Sequence, residues 1–137
     1  MKLRKPFDGT YRITSTFQDH QNRTPPSTAP GIDFALPSGT PVMAAADGTV
    51  YLARYGGAGG RYVRIRHEGG VVTLYAHLSQ LLVPEGTQVK AGSVIGLSGN
   101  SGTNTTGPHL HFAVWDANQL RQGGNGRWVD PLPLLEE

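Results

Sequence analysis

The sequence predicts an all-β fold, a single antiparallel sheet or sandwich-like domain with a groove, about eight short strands and little helix. Two observations carry this. Segments such as Arg61-Tyr62-Val63-Arg64-Ile65-Arg66-His67 alternate polar and apolar residues, the period of a half-buried strand. Nineteen glycines and ten prolines cut the rest into strand-length pieces bounded by turn signals.

Tyr11 to Phe17 alternates and reads as a strand. Gln18 to Gly31 is polar, holds Pro25, Pro26 and Pro30, and reads as a loop. Ile32 to Leu36 is a short strand closed by the turn Pro37-Ser38-Gly39, and Thr40 to Ala45 is the next. Asp47-Gly48 signals a hairpin into Thr49 to Tyr55. Gly56 to Gly60 is a loop tip and a candidate groove wall. Arg61 to His67 turns at Glu68-Gly69-Gly70 into Val71 to His77. Leu78 to Leu82 is expected to form one helical turn. Val89 leads through Ala91-Gly92 into the strand Ser93 to Ser98. The last strand holds His109 and ends near Ala117. Gln119 to Gly126 is polar and glycine-rich, and the tail from Trp128 to Leu135 ends in a short helical piece.

A chain of 137 residues is expected to form one domain, 1–137, with its core at about 10–116, an extension at 117–137 and a linker candidate at 1–8. There is no cysteine, so a metal site must use His, Asp or Glu. A net charge of +2 and a pI of about 9.2 fall short of a nucleic-acid-binding signature, and no nucleic-acid partner is expected. No apolar run is long enough to span a bilayer, so no membrane insertion is expected. The basic N-terminus lacks an apolar stretch behind it, so no signal peptide is expected; phage-type release or excision from a longer chain fits that reading. A monomer is expected.

His109 and His111 share one face of their strand, roughly 6–7 Å apart. That spacing suits two ligands on one ion, or one ligand beside an acid/base group, and also suits two ordinary strand histidines. Asp33 sits among Ile32, Phe34 and Ala35, where an unpaired carboxylate is costly. It reads as a metal ligand or as a turn cap. His77 ends an apolar strand, as a site residue or a core-edge histidine. Tyr75 lies two before His77, so both point to one face; it is a candidate substrate-binding aromatic, with core packing as the other reading. Asn100 and Ser101, with Asn104 and Thr105, could line a substrate groove or simply make turns. His67 reads as structural, and Arg12, Arg61, Arg64 and Arg66 as a solvated sheet face.

Gly31-Ile32-Asp33-Phe34-Ala35, Pro37-Ser38-Gly39-Thr40-Pro41-Val42 and Asp47-Gly48-Thr49-Val50 resemble the first half of the lysostaphin-type (LytM-domain) zinc metalloendopeptidases. Thr73-Leu74-Tyr75-Ala76-His77-Leu78, Ser98-Gly99-Asn100-Ser101-Gly102 and Gly107-Pro108-His109-Leu110-His111-Phe112 resemble the second half. The likeness runs in order over about residues 10–116. It implies an antiparallel sheet with a groove, one zinc ion, and hydrolysis of peptide bonds in peptidoglycan stem peptides or cross-bridges. The partner would be bacterial peptidoglycan, with action at the cell wall, extracellular or periplasmic. Asp33 and His111 would be zinc ligands. His77 and His109 would be catalytic, taking up the proton of the attacking water and stabilising the oxyanion.

One position departs from the family pattern. The first zinc histidine of the family falls four residues before the aspartate, where this chain has Ala29. Three readings follow. His20 supplies the third ligand, which the loop to Asp33 allows at modest entropic cost; the stretch His20 to Asp33 resembles that of some phage-like LytM domains. Alternatively, Ala29 is an engineered inactivation. In the third reading, the domain has lost zinc and only binds cell wall or regulates another hydrolase. The first gives the metal set His20, Asp33 and His111.

Overall fold

The sheet is built around β6 (Val71–Leu81), which pairs with three other strands. It lies between β5 (Gly60–Arg66) and β9 (Leu110–Arg121), and its last residues pair with β8 (Val94–Ser98). The computed structural model describes residues 2–136 except 25–26, 103–104, 106 and 122–123, with 120–121 and 124–125 described by backbone only. Asn104 therefore lies outside the described residues. Around this hub run β1 (Ile13–Ser15), β2 (Ile32–Phe34), β3 (Pro41–Met43), β4 (Gly48–Gly56), β7 (Gln88–Val89) and β10 (Gly124–Val129). The main path is β1-β2-β9-β6-β5-β4-β7, with β10 on β9 and β3 on β8, all pairs antiparallel.

The all-β expectation holds, in a single ten-stranded sheet. Several local readings do not. The last strand, expected to end near Ala117, runs on as β9 to Arg121, and β10 starts at Gly124 within the glycine-rich stretch, because pairing of the two strands sets Trp128 against Trp115 and Arg127 against Asp116; cross-strand pairing outweighs weak local propensity. Leu78 to Leu81 stays extended because β8 offers it a partner. Asp47-Gly48 does not join a hairpin, since β3 pairs with β8 and not with β4. The strand expected to run to Phe17 stops at Ser15, and α1 (Phe17–Gln21) follows. Thr16 caps this helix. Its hydroxyl accepts from the Asp19 N–H at 3.1 Å, and the Asp19 carboxylate accepts from the Thr16 N–H at 2.9 Å. Such a short helix has little stability of its own; the caps and the burial of His20 hold it. The segment read as a linker contributes Leu3 and Phe7 to the core. Leu3 pairs with the C-terminal tail through Leu3 N–H to Leu134 O and Glu136 N–H to Leu3 O, both 2.7 Å.

The core holds Val50, Val63, Ile65, Leu110 and Phe112 from the long strands, with Phe7 edge-on to Phe34. Gly31, just before β2, packs directly on the backbone of β9. A Cβ there would lie 2.2 Å from the Phe112 carbonyl oxygen, which is backbone and cannot yield. Gly31→Ala is expected to cost about 1–3 kcal/mol, the range for overpacking, read as a lower urea midpoint.

His67 is structural, as expected. It ends a buried chain of hydrogen bonds whose directions follow from its ends. The Ala45 N–H donates to the Tyr75 hydroxyl oxygen (2.9 Å) and Tyr75 O–H to Thr73 Oγ1 (2.7 Å). Thr73 O–H donates to His67 Nε2 (2.8 Å), and His67 Nδ1–H to the Asp47 carbonyl (2.7 Å). Burial pushes the His67 imidazole below its ordinary value, against the opposing bond to Asp47. The unfolded chain then binds the proton more readily as pH falls through about 6.5, and stability drops. His67→Gln is expected to lose about 1–3 kcal/mol at pH 7.5. Its stability should also fall less than the parent's between pH 7.5 and 5.5, as urea titrations at the two pH values would record.

Candidate metal centre

Four adjacent strands assemble the site in one row. Ser15 on β1 opposes Asp33 on β2, Asp33 opposes His111 on β9, and His111 opposes Ala76 on β6. Directly opposed residues share a face. The Asp33 Oδ1 therefore lies 2.8 Å from His111 Nδ1. Helix α1 leaves the end of β1 and carries His20 to the same place. Its Nε2 is 3.3 Å from Asp33 Oδ2, and its ring centroid is 4.8 Å from that of His111. The loop returns because the Ser27 N–H donates to the His20 carbonyl at 3.1 Å.

The hydrogen bonds decide which ring atoms face inward. His20 Nδ1–H donates to the Thr16 carbonyl at 2.8 Å, so the electron pair sits on Nε2. That atom is buried without a hydrogen-bond partner. His111 Nε2–H donates to the Ala29 carbonyl at 2.7 Å, which leaves Nδ1 against the Asp33 carboxylate. Position 29 thus contributes a backbone oxygen that orients a histidine. Nδ1 and Oδ1 in contact need a proton or a cation between them. Burial alone would raise the Asp33 carboxyl, but the His111 and His20 imidazoles outweigh it and hold Asp33 well below the usual carboxylate range.

One donor atom from each of His20, Asp33 and His111 lies within 4.8 Å of the other two. All three residues are buried, at 1%, 7% and 7% exposure. Two imidazole nitrogens and a carboxylate form a donor set that suits Zn²⁺, and the orphaned Nε2 of His20 fits a cation. The outer hydrogen bonds that the two imidazoles donate to the Thr16 and Ala29 carbonyls are of the kind that orients metal-binding histidines.

Two further histidines flank this cluster. His77 has φ +66°, the one non-glycine residue in the left-handed region among those described. It sits in a bulge: Tyr75 opposes Val63 and Leu78 opposes Arg61, so β6 gains one residue on β5. The bulge turns His77 toward the groove. Its Nδ1–H donates to the Ser101 carbonyl at 2.8 Å, and burial pushes it down to about 4, leaving a neutral ring with a free Nε2. His109 Nδ1–H likewise donates to the Gly107 carbonyl at 2.8 Å, and its Nε2 is 3.8 Å from Asp33 Oδ1. The two ring centroids are 4.5 Å apart.

All five residues line a groove of about 930 Å³, with Gly56, Ala58 and Gly59 also in its wall. The substrate-binding expectations need correction. Tyr75 is wholly buried with its hydroxyl bonded to Thr73 and Ala45, because the bulge at His77 breaks the alternation that would have put both on one face. The Ser101 hydroxyl accepts from the Arg61 N–H at 3.0 Å and donates to the Leu78 carbonyl; its role is to fix the carbonyl that holds His77. Asn100 is exposed, is absent from the groove lining, and engages the Thr105 hydroxyl as a turn residue does. Arg23 and Tyr62 are among the groove residues that the sequence reading did not single out. Arg23 reaches within 3.7 Å of Asp33 Oδ2 while donating to Ser15 Oγ at 3.2 Å. Tyr62 lies in the groove lining from β5. The signal that could have pointed to the region of Arg23 is the cap Thr16-Phe17-Gln18-Asp19.

The sequence model of peptidase family M23 matches residues 27–131. The chain belongs to peptidase family M23. This metallopeptidase family bears out the lysostaphin-type resemblance; His20 lies outside the matched span. The peptidoglycan DD-endopeptidase ShyA of Vibrio cholerae is 46% identical over 116 residues, covering 81% of this chain and 26% of that protein. A zinc-containing peptidase from Vibrio cholerae superposes with a TM-score of 0.73 at 38% identity, covering 83% of this chain and 36% of that one. The catalytic domain of lysostaphin from Staphylococcus simulans gives a TM-score of 0.66 at 36% identity over 75% of each chain. The chain spans 26–31% of the length of the three curated relatives ShyA and two uncharacterized metalloproteases.

Proposed function

We propose that this chain is a zinc-dependent endopeptidase that hydrolyses peptide bonds in peptidoglycan stem peptides or cross-bridges, acting as a monomer at the bacterial cell wall. His20, Asp33 and His111 would hold one zinc ion. The observation that carries this reading is the buried, unpartnered Nε2 of His20 turned toward Asp33. That nitrogen faces the Asp33 carboxylate at 3.3 Å without a hydrogen bond, an arrangement that a cation between the two completes. Similarity to the peptidoglycan DD-endopeptidase ShyA and to the zinc-containing peptidase of Vibrio cholerae supports the substrate class and the metal.

A bound zinc ion supplies a Lewis acid that polarises the peptide carbonyl and lowers the pKa of water. The chain does the rest. His77 and His109 each have Nδ1 fixed on a backbone carbonyl, so each presents Nε2 to the groove in one tautomer. A neutral Nε2 accepts the proton of the attacking water, and the resulting N–H then donates to the oxyanion or to the leaving amine. The Asp33 carboxylate stays ionised and favours a cation at its side. Protein purified without chelator is expected to carry about one zinc per chain, consistent with a three-ligand catalytic site. Clearing of a cell-wall suspension should stop with EDTA and return with added zinc. Undiminished clearing by metal-free protein would contradict the proposal.

A further inference from the structure

Arg64 on β5 lines the groove and also an adjoining shelf of about 390 Å³, which is formed with Tyr51, Arg66, Val72, Trp115 and Trp128. Its guanidinium carbon lies 5.9 Å from the Tyr62 ring and 5.7 Å from the Trp128 ring. Stacking of this kind holds a guanidinium in place without using its N–H groups. None of the ion pairs among the described residues includes Arg64, and its Nε is buried with no hydrogen-bond partner. Arg66 stands beside it on the shelf, 4.7 Å over the Tyr51 ring and likewise without a carboxylate. Arg54 on β4 does have one: its Nε donates to Glu85 at 2.8 Å. A planar fork with fixed orientation matches a carboxylate.

We propose that Arg64 is a specificity residue that receives a free carboxylate of the peptide in the groove, with Arg66 adding positive charge on the shelf. The substrate class is an acidic peptide, preferred over the same peptide with its carboxylates amidated. This rests on the reading that the groove takes a peptide, and its test is independent of turnover. Calorimetry would compare a synthetic stem peptide bearing free carboxylates with its amidated form, using the parent chain, Arg64→Gln and Arg64→Lys. The parent should bind the acid at least about tenfold more tightly, as expected for a charge-assisted pair. Arg64→Gln should bring the two forms within about twofold. Arg64→Lys, which keeps the charge and an aliphatic stem beside the aromatic rings, should retain part of the preference. Where the acid is cleaved, Arg64→Gln should raise KM with kcat unchanged. An unchanged acid-to-amide ratio in Arg64→Gln overturns the proposal, as does a parent chain that binds both forms equally or neither. A parent that prefers the acid but never cleaves it overturns the proposed function and leaves the role of Arg64 standing.

Discussion

His20→Ala is expected to empty the metal site and lower peptidoglycan hydrolysis by at least about 100-fold. Losing one outer hydrogen-bond partner of a metal histidine already costs roughly 10–100-fold, and removing a donor atom should cost more. Two protein donors, Asp33 and His111, would remain. The fold should survive, since α1 is a single short element at the sheet edge. Metal analysis beside an unfolding curve separates the two effects. Full zinc occupancy in His20→Ala would show that the third donor lies elsewhere and return Ala29 to the centre of the question.

His77→Ala and His109→Ala should behave differently. Each is expected to lower kcat by about 10²–10⁴, the usual range for a positioned acid or base, while zinc stays bound. Neither belongs to the group of three converging donors. Their Nδ1 atoms are held by Ser101 and Gly107, so the loops carrying those carbonyls position the Nε2 atoms that face the groove. Gly102 supports this arrangement. It has φ +102°, and a Cβ there would lie 2.5 Å from the Ala58 carbonyl, so the loop packs closely against the β4–β5 tip. Loss of zinc from His77→Ala would mean that the outer histidine contributes to the metal set.

The sequence made Asp33, His77, His109 and His111 visible because they occupy fixed places in long motifs, and the sheet brings all four into one groove. His20 was visible only indirectly, through an alanine where a donor was expected and a histidine upstream with chain enough to return. Its means of delivery was not read from the sequence. A one-turn helix capped by Thr16 and Asp19 lacks the length that gives a helical period. Tyr75 was misread for a different reason. Period-2 reasoning assumes an unbroken strand, and the bulge at His77 shifts the faces by one residue. Such a bulge leaves no mark in composition, because its residue is a histidine and not a glycine. Likewise β10 and the extended end of β6 owe their conformation to partners distant in sequence. The expectation that Arg64 and Arg66 simply face solvent missed the aromatic rings stacked near them, which come from β4, β5 and β10.

The proposed metal ligands are His20, Asp33 and His111, and the ion should sit between them. Crystals of the zinc-loaded chain, measured on both sides of the zinc absorption edge, test this assignment most directly. A single anomalous peak is expected about 2.0–2.2 Å from His20 Nε2, His111 Nδ1 and an Asp33 carboxylate oxygen. A peak bound by Asp33 and His111 with His20 Nε2 turned away, or no peak in the groove, would contradict it.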